Sequence, residues 1–342
     1  MDCKQRRGKI ITYLKIYPSI SNQETQAMTD AHRNTISQDF KALLDDGRLI
    51  KTGTGKGTRY QLKQNMLFSP ALQKKNWTKS QAMVLNRYFK KLSRPPVFFE
   101  RVVQNGLKAA FNFDAAVVTA LAQRQTDILR RRQGMDQAAR KRLKERLAID
   151  LSWASARIEG STYSLLETEA LIKYQQTAHG KSLADAQMIL NHKTDLDHLR
   201  LTTEYQQLSR QKVFALHQIL IQGLGVETGF RKHLIRISNS SLVPCDNEFQ
   251  IASWFDKIIS LINNMPQVLG KVVATNLLLA FLQPFSDGNK RTARMLGNGI
   301  LLAHGLLPIS FSHTPKEEYI KSVLYFYEKQ NPAYFKFLFL NE

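Results

Sequence analysis

QPFSDGNKRTAR, residues 283–294, decides how the second half of the chain is read. Before it, VVATNLLLAFLQ (272–283) is an apolar helical run; after it, RTARMLGNGILLAHG (291–305) keeps a helical spacing and stops at Gly305. PFSDGNK (284–290) is therefore a tight loop, and its Gly288 opens the second helix. A loop of this kind presents unpaired backbone N–H groups at the positive end of a helix dipole, which is a cradle for an anion. Arg291 and Arg294 are three residues apart on one face, so both can grip phosphate oxygens. Asp287 stands beside the cradle, placed to hold a Mg²⁺ that bridges phosphates. Phe285 is expected to turn inward as an anchor. An ion-paired junction between two helices is the plainer alternative.

The rest of the chain is long and unevenly charged. Its 342 residues, 43% hydrophobic, suffice for two or three cores. Of the net charge of +21, +18 lies in residues 1–150, which hold 30 of the 49 Lys and Arg but 12 of the 28 Asp and Glu. Charge gathered in one half points to a polyanionic partner, nucleic acid first, with a generically basic surface as the alternative. Cys3 and Cys245 make no disulfide framework, so a reduced, cytoplasmic protein is expected. MDCKQRRGK is followed by no uninterrupted apolar core, and no apolar run reaches the length of a membrane span, so neither a signal peptide nor a membrane partner is expected.

The first 64 residues form a pattern of their own. KQRRGKIITYLKIY places Ile10, Ile11, Leu14 and Tyr17 at helical spacing, and Pro18 ends the helix. Ser21 caps a short second helix. AHRNTISQDFKALLDDG puts Ile36, Phe40, Leu43 and Leu44 on one side and stops at Gly47. RLIKT and TRYQL read as strands joined by GTGKG. This order resembles the winged helix-turn-helix of small bacterial transcription regulators, over residues 4–63. Arg33, Asn34, Thr35, Gln38 and Lys41 form the polar side of the third helix, with donors suited to base edges and phosphates of double-stranded DNA. Lys56 and Arg59 sit at the hairpin, where a wing meets the backbone; protein docking is the alternative use. GTGKGT is no phosphate loop, because it lacks the Walker spacing and the helix that should follow. Residues 65–148 read as a basic helical linker, broken at Pro95-Pro96; its RRRQGMDQAARKRLKERL run is either a solvated face or a track along a DNA backbone.

Recognition then adds to the motif. The loop resembles the signature of Fic-domain proteins, His-x-Phe-x-(Asp/Glu)-Gly-Asn-(Gly/Lys)-Arg-x-x-Arg, matching at Phe285, Asp287, Gly288, Asn289, Lys290, Arg291 and Arg294. The resemblance extends over roughly 150–340, and a third domain is expected at 149–342. SARIEG (155–160) resembles the family's inhibitory Ser-x-x-x-Glu-Gly, carried on a helix at about 150–165. Ser155, Glu159 and Gly160 are then the inhibitory residues, and Glu159 is expected to hold Arg294 against the γ-phosphate of ATP. GFRKHLIRISNSSLVP (229–244) resembles the family's flap, which aligns a target peptide by strand addition.

The resemblance implies a mostly α fold with a small β-hairpin flap, ATP and Mg²⁺ as cofactors, and AMP transfer to a Ser, Thr or Tyr hydroxyl of a target protein. A homodimer is among the expected assemblies. Two positions depart from the family. Gln283 stands where the family has its His base, and an amide cannot take up a proton, a loss of about 10²–10⁴-fold. Lys290 is the residue of the phosphorylating Doc branch, but Arg294 and the inhibitory motif favour the adenylylating geometry. The contrasting reading is a DNA-binding regulator whose Fic core binds nucleotide without turnover.

Overall fold

The computed structural model describes residues 2–14, 19–46, 48–53, 55, 58–62, 85, 87–90, 94–99 and 110–342. Tyr17, Pro18, Gly47, Lys56 and most of the region 65–109 lie outside the described residues. The chain divides into two units, residues 1–94 with 114–117, and residues 95–113 with 118–342. It is mostly helical, and its strands among the described residues are few and short.

The first unit follows the order read from the sequence. Helices α1 (Cys3–Leu14), α2 (Asn22–Thr29) and α3 (Arg33–Asp45) precede an antiparallel pair, β1 (Leu49–Thr52) and β2 (Arg59–Leu62). Ser21 and Glu24 cap α2 reciprocally, satisfying two backbone donors that the helix itself leaves free. An isolated bridge ties Ile20 to Tyr60. Ile10, Leu14, Ile36, Phe40 and Leu43 meet in the core, where the Phe40 ring stacks on Tyr60 at 3.8 Å. Asp39 of α3 is buried and receives Nε of Arg6 at 2.7 Å and Nε of Arg7 at 2.9 Å. Burial raises its carboxyl pKa, but the two arginines outweigh that and hold it below the usual range. Two arginines that the sequence counts toward a polyanion site are thus paired with a carboxylate of their own unit.

The second unit centres on one helix. After β3 (Val97–Phe98) come α4 (Ala115–Gln133), whose first residues belong to the other unit, α5 (Gln137–Glu159), α6 (Leu165–Tyr174), α7 (Leu183–Arg200) and α8 (Arg210–Ile221). β4 (Leu242–Val243), α9 (Glu248–Asn263) and α10 (Val268–Ala274) follow; a π-turn at Thr275–Leu279 leads into α11 (Ala280–Leu282). The loop, α12 (Asn289–Ala303), α13 (Lys316–Lys329) and α14 (Ala333–Leu340) complete the unit. α12 packs against α7, α8 and α10 and is buried along nearly its whole length. Close approach is allowed by Gly297, where a Cβ would stand 2.5 Å from Asn276 Nδ2.

Two boundaries differ from the sequence reading. The division drawn at 148/149 falls inside α5, a single helix of 23 residues. The 229–244 segment forms no hairpin: only Leu242–Val243 is strand, and it pairs in parallel with Val97–Phe98. Within the segment Arg231 is buried and donates to the carbonyls of Gln283, His233 and Cys245.

Candidate phosphate-binding site

Asn289 shapes the loop that follows α11. Its Oδ1 accepts from the Phe285 amide and its Nδ2 donates to the Phe285 carbonyl, both at 2.8 Å. Phe285 turns inward, as its apolar ring requires, and stacks on His217 of α8 at 3.7 Å. His217 Nε2–H donates to the Asp287 carbonyl at 3.0 Å, and burial keeps the ring's pKa below its ordinary value. Gly288 turns the chain at φ 80°, a left-handed conformation, and a Cβ there would press on Ile221 at 3.3 Å. The first intrahelical bond of α12 runs from the Thr292 amide to the Gly288 carbonyl, so the amides of Asn289, Lys290 and Arg291 have no intrahelical partner, while the Gly288 amide donates to Asp287 Oδ1 at 2.6 Å. Ser286 Oγ, in the same loop, is buried without a hydrogen-bond partner. An unpaired hydroxyl beside orphan amides is the chemistry of a site for phosphate oxygens.

Cations close one side of the loop. Arg291 is buried, pairs with Asp287 at 3.0 Å and reaches the Leu220 carbonyl. Arg294 donates Nε and Nη2 to Ser155 Oγ at 3.0 and 2.9 Å, and Nη2 also to Glu159 Oε1 at 2.8 Å. The other carboxylate oxygen of Glu159 lies 3.2 Å from Lys290 Nζ. Glu159 is thus clasped by two cations from the first two turns of α12. Burial alone raises its pKa; the charges of Arg294 and Lys290 dominate and bring it down to about 2. Glu159 is the last residue of α5, and Gly160 ends the helix at φ 110°.

Gln283 sits at φ 52°, its carbonyl held by Arg231. Its side chain is built into the loop: Nε2 donates to the Ala280 carbonyl, and Oε1 accepts from Asn289 Nδ2 at 3.1 Å. Asp287 is 68% exposed at the loop mouth. One carboxylate of this kind, together with substrate phosphates, fits the way Mg²⁺ is usually held, and the metal would there neutralise phosphate charge.

The structure brings together Phe285, Asp287, Gly288, Asn289, Lys290, Arg291 and Arg294 with Ser155, Glu159 and Gly160, residues from two stretches more than 120 positions apart. Two histidines of the site were not picked out by the sequence reading. His217 supports the loop from behind. His192 of α7 lies 2.8 Å from Ser155 Oγ. Their signal was tertiary: each stands on an apolar helical face with no local motif.

In the first unit, Arg33, Asn34, Gln38 and Lys41 are exposed on α3, and Thr35 is half-buried. Arg59 donates to Glu24 and to Ser19. Along α5, Arg140, Lys141, Arg142, Lys144 and Arg146 are exposed, and Arg146 pairs with Asp150. No group of three or more metal-type side chains occurs among the described residues. No helix among them is long and apolar enough to cross a membrane.

The site is thus a helix pair joined by an anion loop, with the end of a third helix, α5, pinned to Arg294. Residues 207–301 match the sequence model of the Fic/DOC family, and the chain carries a Fic domain. Among curated proteins the chain is 26% identical over 170 residues to Protein adenylyltransferase Fic of Nematostella vectensis, covering 47% of this chain and 39% of that one. It is 26% identical over 174 residues to Protein adenylyltransferase fic-1 of Caenorhabditis elegans, covering 48% and 34%. The chain thus spans well under half the length of these relatives. Among solved structures, a Fic family protein from Desulfovibrio desulfuricans G20 superposes with TM-score 0.52 at 18% identity, over 72% of this chain and 74% of that one. Fic-1 (residues 134–508) of C. elegans superposes with TM-score 0.51 at 15% identity, over 93% and 76%.

Proposed function

We propose that residues 149–342 are a protein adenylyltransferase core, closed by the end of α5 and deprived of its base. The carrying observation is Glu159, clasped between Arg294 and Lys290 beside the phosphate loop. A carboxylate there competes with a terminal phosphate for the same guanidinium. In the proposed reaction a target hydroxyl attacks the α-phosphorus of ATP, the bond to the β-phosphate oxygen breaks, and pyrophosphate leaves. The hydroxyl proton must go to a base. Gln283 offers an amide already engaged with Ala280 and Asn289, and His217 is buried with its Nε2 engaged by Asp287. The amide cannot take the proton. Asp287 would hold Mg²⁺. Lys290, being committed to Glu159, supports the adenylylating over the phosphorylating orientation.

The test is label transfer to protein from α-³²P-ATP and γ-³²P-ATP by four forms: the parent, Glu159→Gly, Gln283→His and the double variant. Strong α-label transfer by the double variant alone is expected. Silence from all four favours a regulator that binds nucleotide without turnover, and γ-label would mean phosphoryl transfer.

A second reading concerns the first unit, which we read as a winged helix that binds duplex DNA. Its support is the exposed Arg33, Asn34, Gln38 and Lys41 face of α3, opposite the Ile36, Phe40 and Leu43 side that enters the core. Fluorescence anisotropy with the full chain should give duplex affinity that falls steeply with salt and is weakened by Arg33→Ala. Absence of binding at low salt overturns it.

A further inference from the structure

Arg294 is held from more than one side, and the Tyr319 ring lies 5.4 Å from its guanidinium. Glu159 is the obvious partner on α5; the second on that helix is Ser155, one turn earlier and buried. A serine oxygen has two lone pairs and one proton. Both lone pairs can face Arg294 only if the proton points elsewhere. The geometry supplies that elsewhere. His192 Nδ1 lies 2.7 Å from the Met188 carbonyl, which only accepts, so Nδ1 carries the hydrogen. In a neutral ring Nε2 is then an acceptor, and it lies 2.8 Å from Ser155 Oγ. The hydroxyl proton goes to His192, and both lone pairs are left for Nε and Nη2 of Arg294. The ring is fully buried, and burial with the charges of Arg291 and Arg294 lowers its pKa to about 3, so it stays neutral at ordinary pH. The match is not a general property of this helix pair. Ser152 Oγ on α5 and both carboxyl oxygens of Asp195 on α7 are buried without hydrogen-bond partners.

We propose that His192 is a positioning residue for Arg294: by accepting the Ser155 hydroxyl hydrogen it fixes the guanidinium at the phosphate loop whether or not Glu159 is bound. This rests on the reading of Arg294 as the ligand of the terminal phosphate. Glu159 is the last residue of its helix, whereas Ser155 and His192 lie deeper in the α5–α7 packing. Release of the carboxylate therefore leaves the arginine held and aimed.

Two measurements on the full chain test this. ¹⁵N NMR of the parent should find His192 with Nδ1 protonated and Nε2 pyridine-like at neutral pH; a hydrogen on Nε2 overturns the proposal, because Ser155 could not then face Arg294 with both lone pairs. Calorimetry in the Glu159→Gly background, with Mg²⁺, compares ATP with ADP. His192→Phe should weaken ATP about tenfold and leave ADP little changed, and His192→Gln, whose Oε1 can accept in place of Nε2, should restore it. Unchanged ATP affinity in a folded His192→Phe protein, or equal weakening of ATP and ADP, overturns the positioning role. A Glu159→Gly parent that binds no ATP refutes the adenylyltransferase reading instead, and the ring's hydrogen position then decides the role of His192.

Discussion

Each unit contains a carboxylate gripped by two cations, and the two grips differ in what can reach them. Asp39 lies in the middle of α3, 2% exposed, between Arg6 and Arg7. Glu159 ends α5, 17% exposed, and one of its partners, Lys290, is 35% exposed beside a loop suited to anions. The first grip has no rival ligand and serves to join α1 to α3. The second can be replaced by a phosphate that offers more oxygens to the same cations. Chemistry alone does not separate a structural clasp from a latch; position along the helix and access for a competitor do.

The widest break in the comparison is chemical. Adding His at 283 to a Glu159→Gly protein should raise α-label transfer by about 10²–10⁴-fold over Glu159→Gly alone, since only then can the target proton leave. Equal transfer by the single variant would mean that the base lies elsewhere. Next comes stability. Asp39→Ala strips Arg6 and Arg7 of their shared partner and should lower the first unit's midpoint in denaturant melts, whereas Glu159→Gly should lower the second unit's less. Similar losses would erase the distinction between clasp and latch.

Nucleotide binding gives smaller effects. Glu159→Gly should tighten Mg·ATP about tenfold by calorimetry, and Lys290→Ala, which removes the more exposed partner, only a few-fold. A larger gain from Lys290→Ala would make the lysine the main keeper. The smallest effect is with pH. The Glu159 carboxyl ionises near 2 when folded against 4.5 ordinarily, so its contribution is complete above about 4.5 and declines as pH falls toward 2. Calorimetry between pH 5 and pH 8 should find no loosening of the latch; tighter ATP binding at pH 5 would contradict the clasped carboxylate.

Local signals carried the parts of this picture that lie close together in sequence. The phosphate loop was legible because Gly288, Asn289, Arg291 and Arg294 act within two turns of one another, and the Ser21 cap because its partner is three residues away. The mostly helical class followed from the resemblance, with periodicity marking single helices. What escaped depends on distant partners. Asp39 reads as one more polar residue on α3 until α1 lies beside it, and that pairing turns two apparent polyanion contacts inward. The 229–244 segment reads as a flap by its resemblance to the family's, yet only Leu242–Val243 is strand, and the buried Arg231 binds carbonyls at Gln283, His233 and Cys245, two of them outside the segment. His192 and His217 carry no spacing signal, since each meets its partner across a helix interface.

The end of α5 has a kinetic consequence. Gly160 stops the helix immediately after Glu159, so freeing the carboxylate requires the last turn to fray, with the deeper residues left in place. Fraying of a helix end belongs to the nanosecond-to-microsecond range, far faster than the sliding of a whole packed helix. Opening should therefore be a pre-equilibrium that a nucleotide meets already running, and occupancy should rise with nucleotide concentration without a lag.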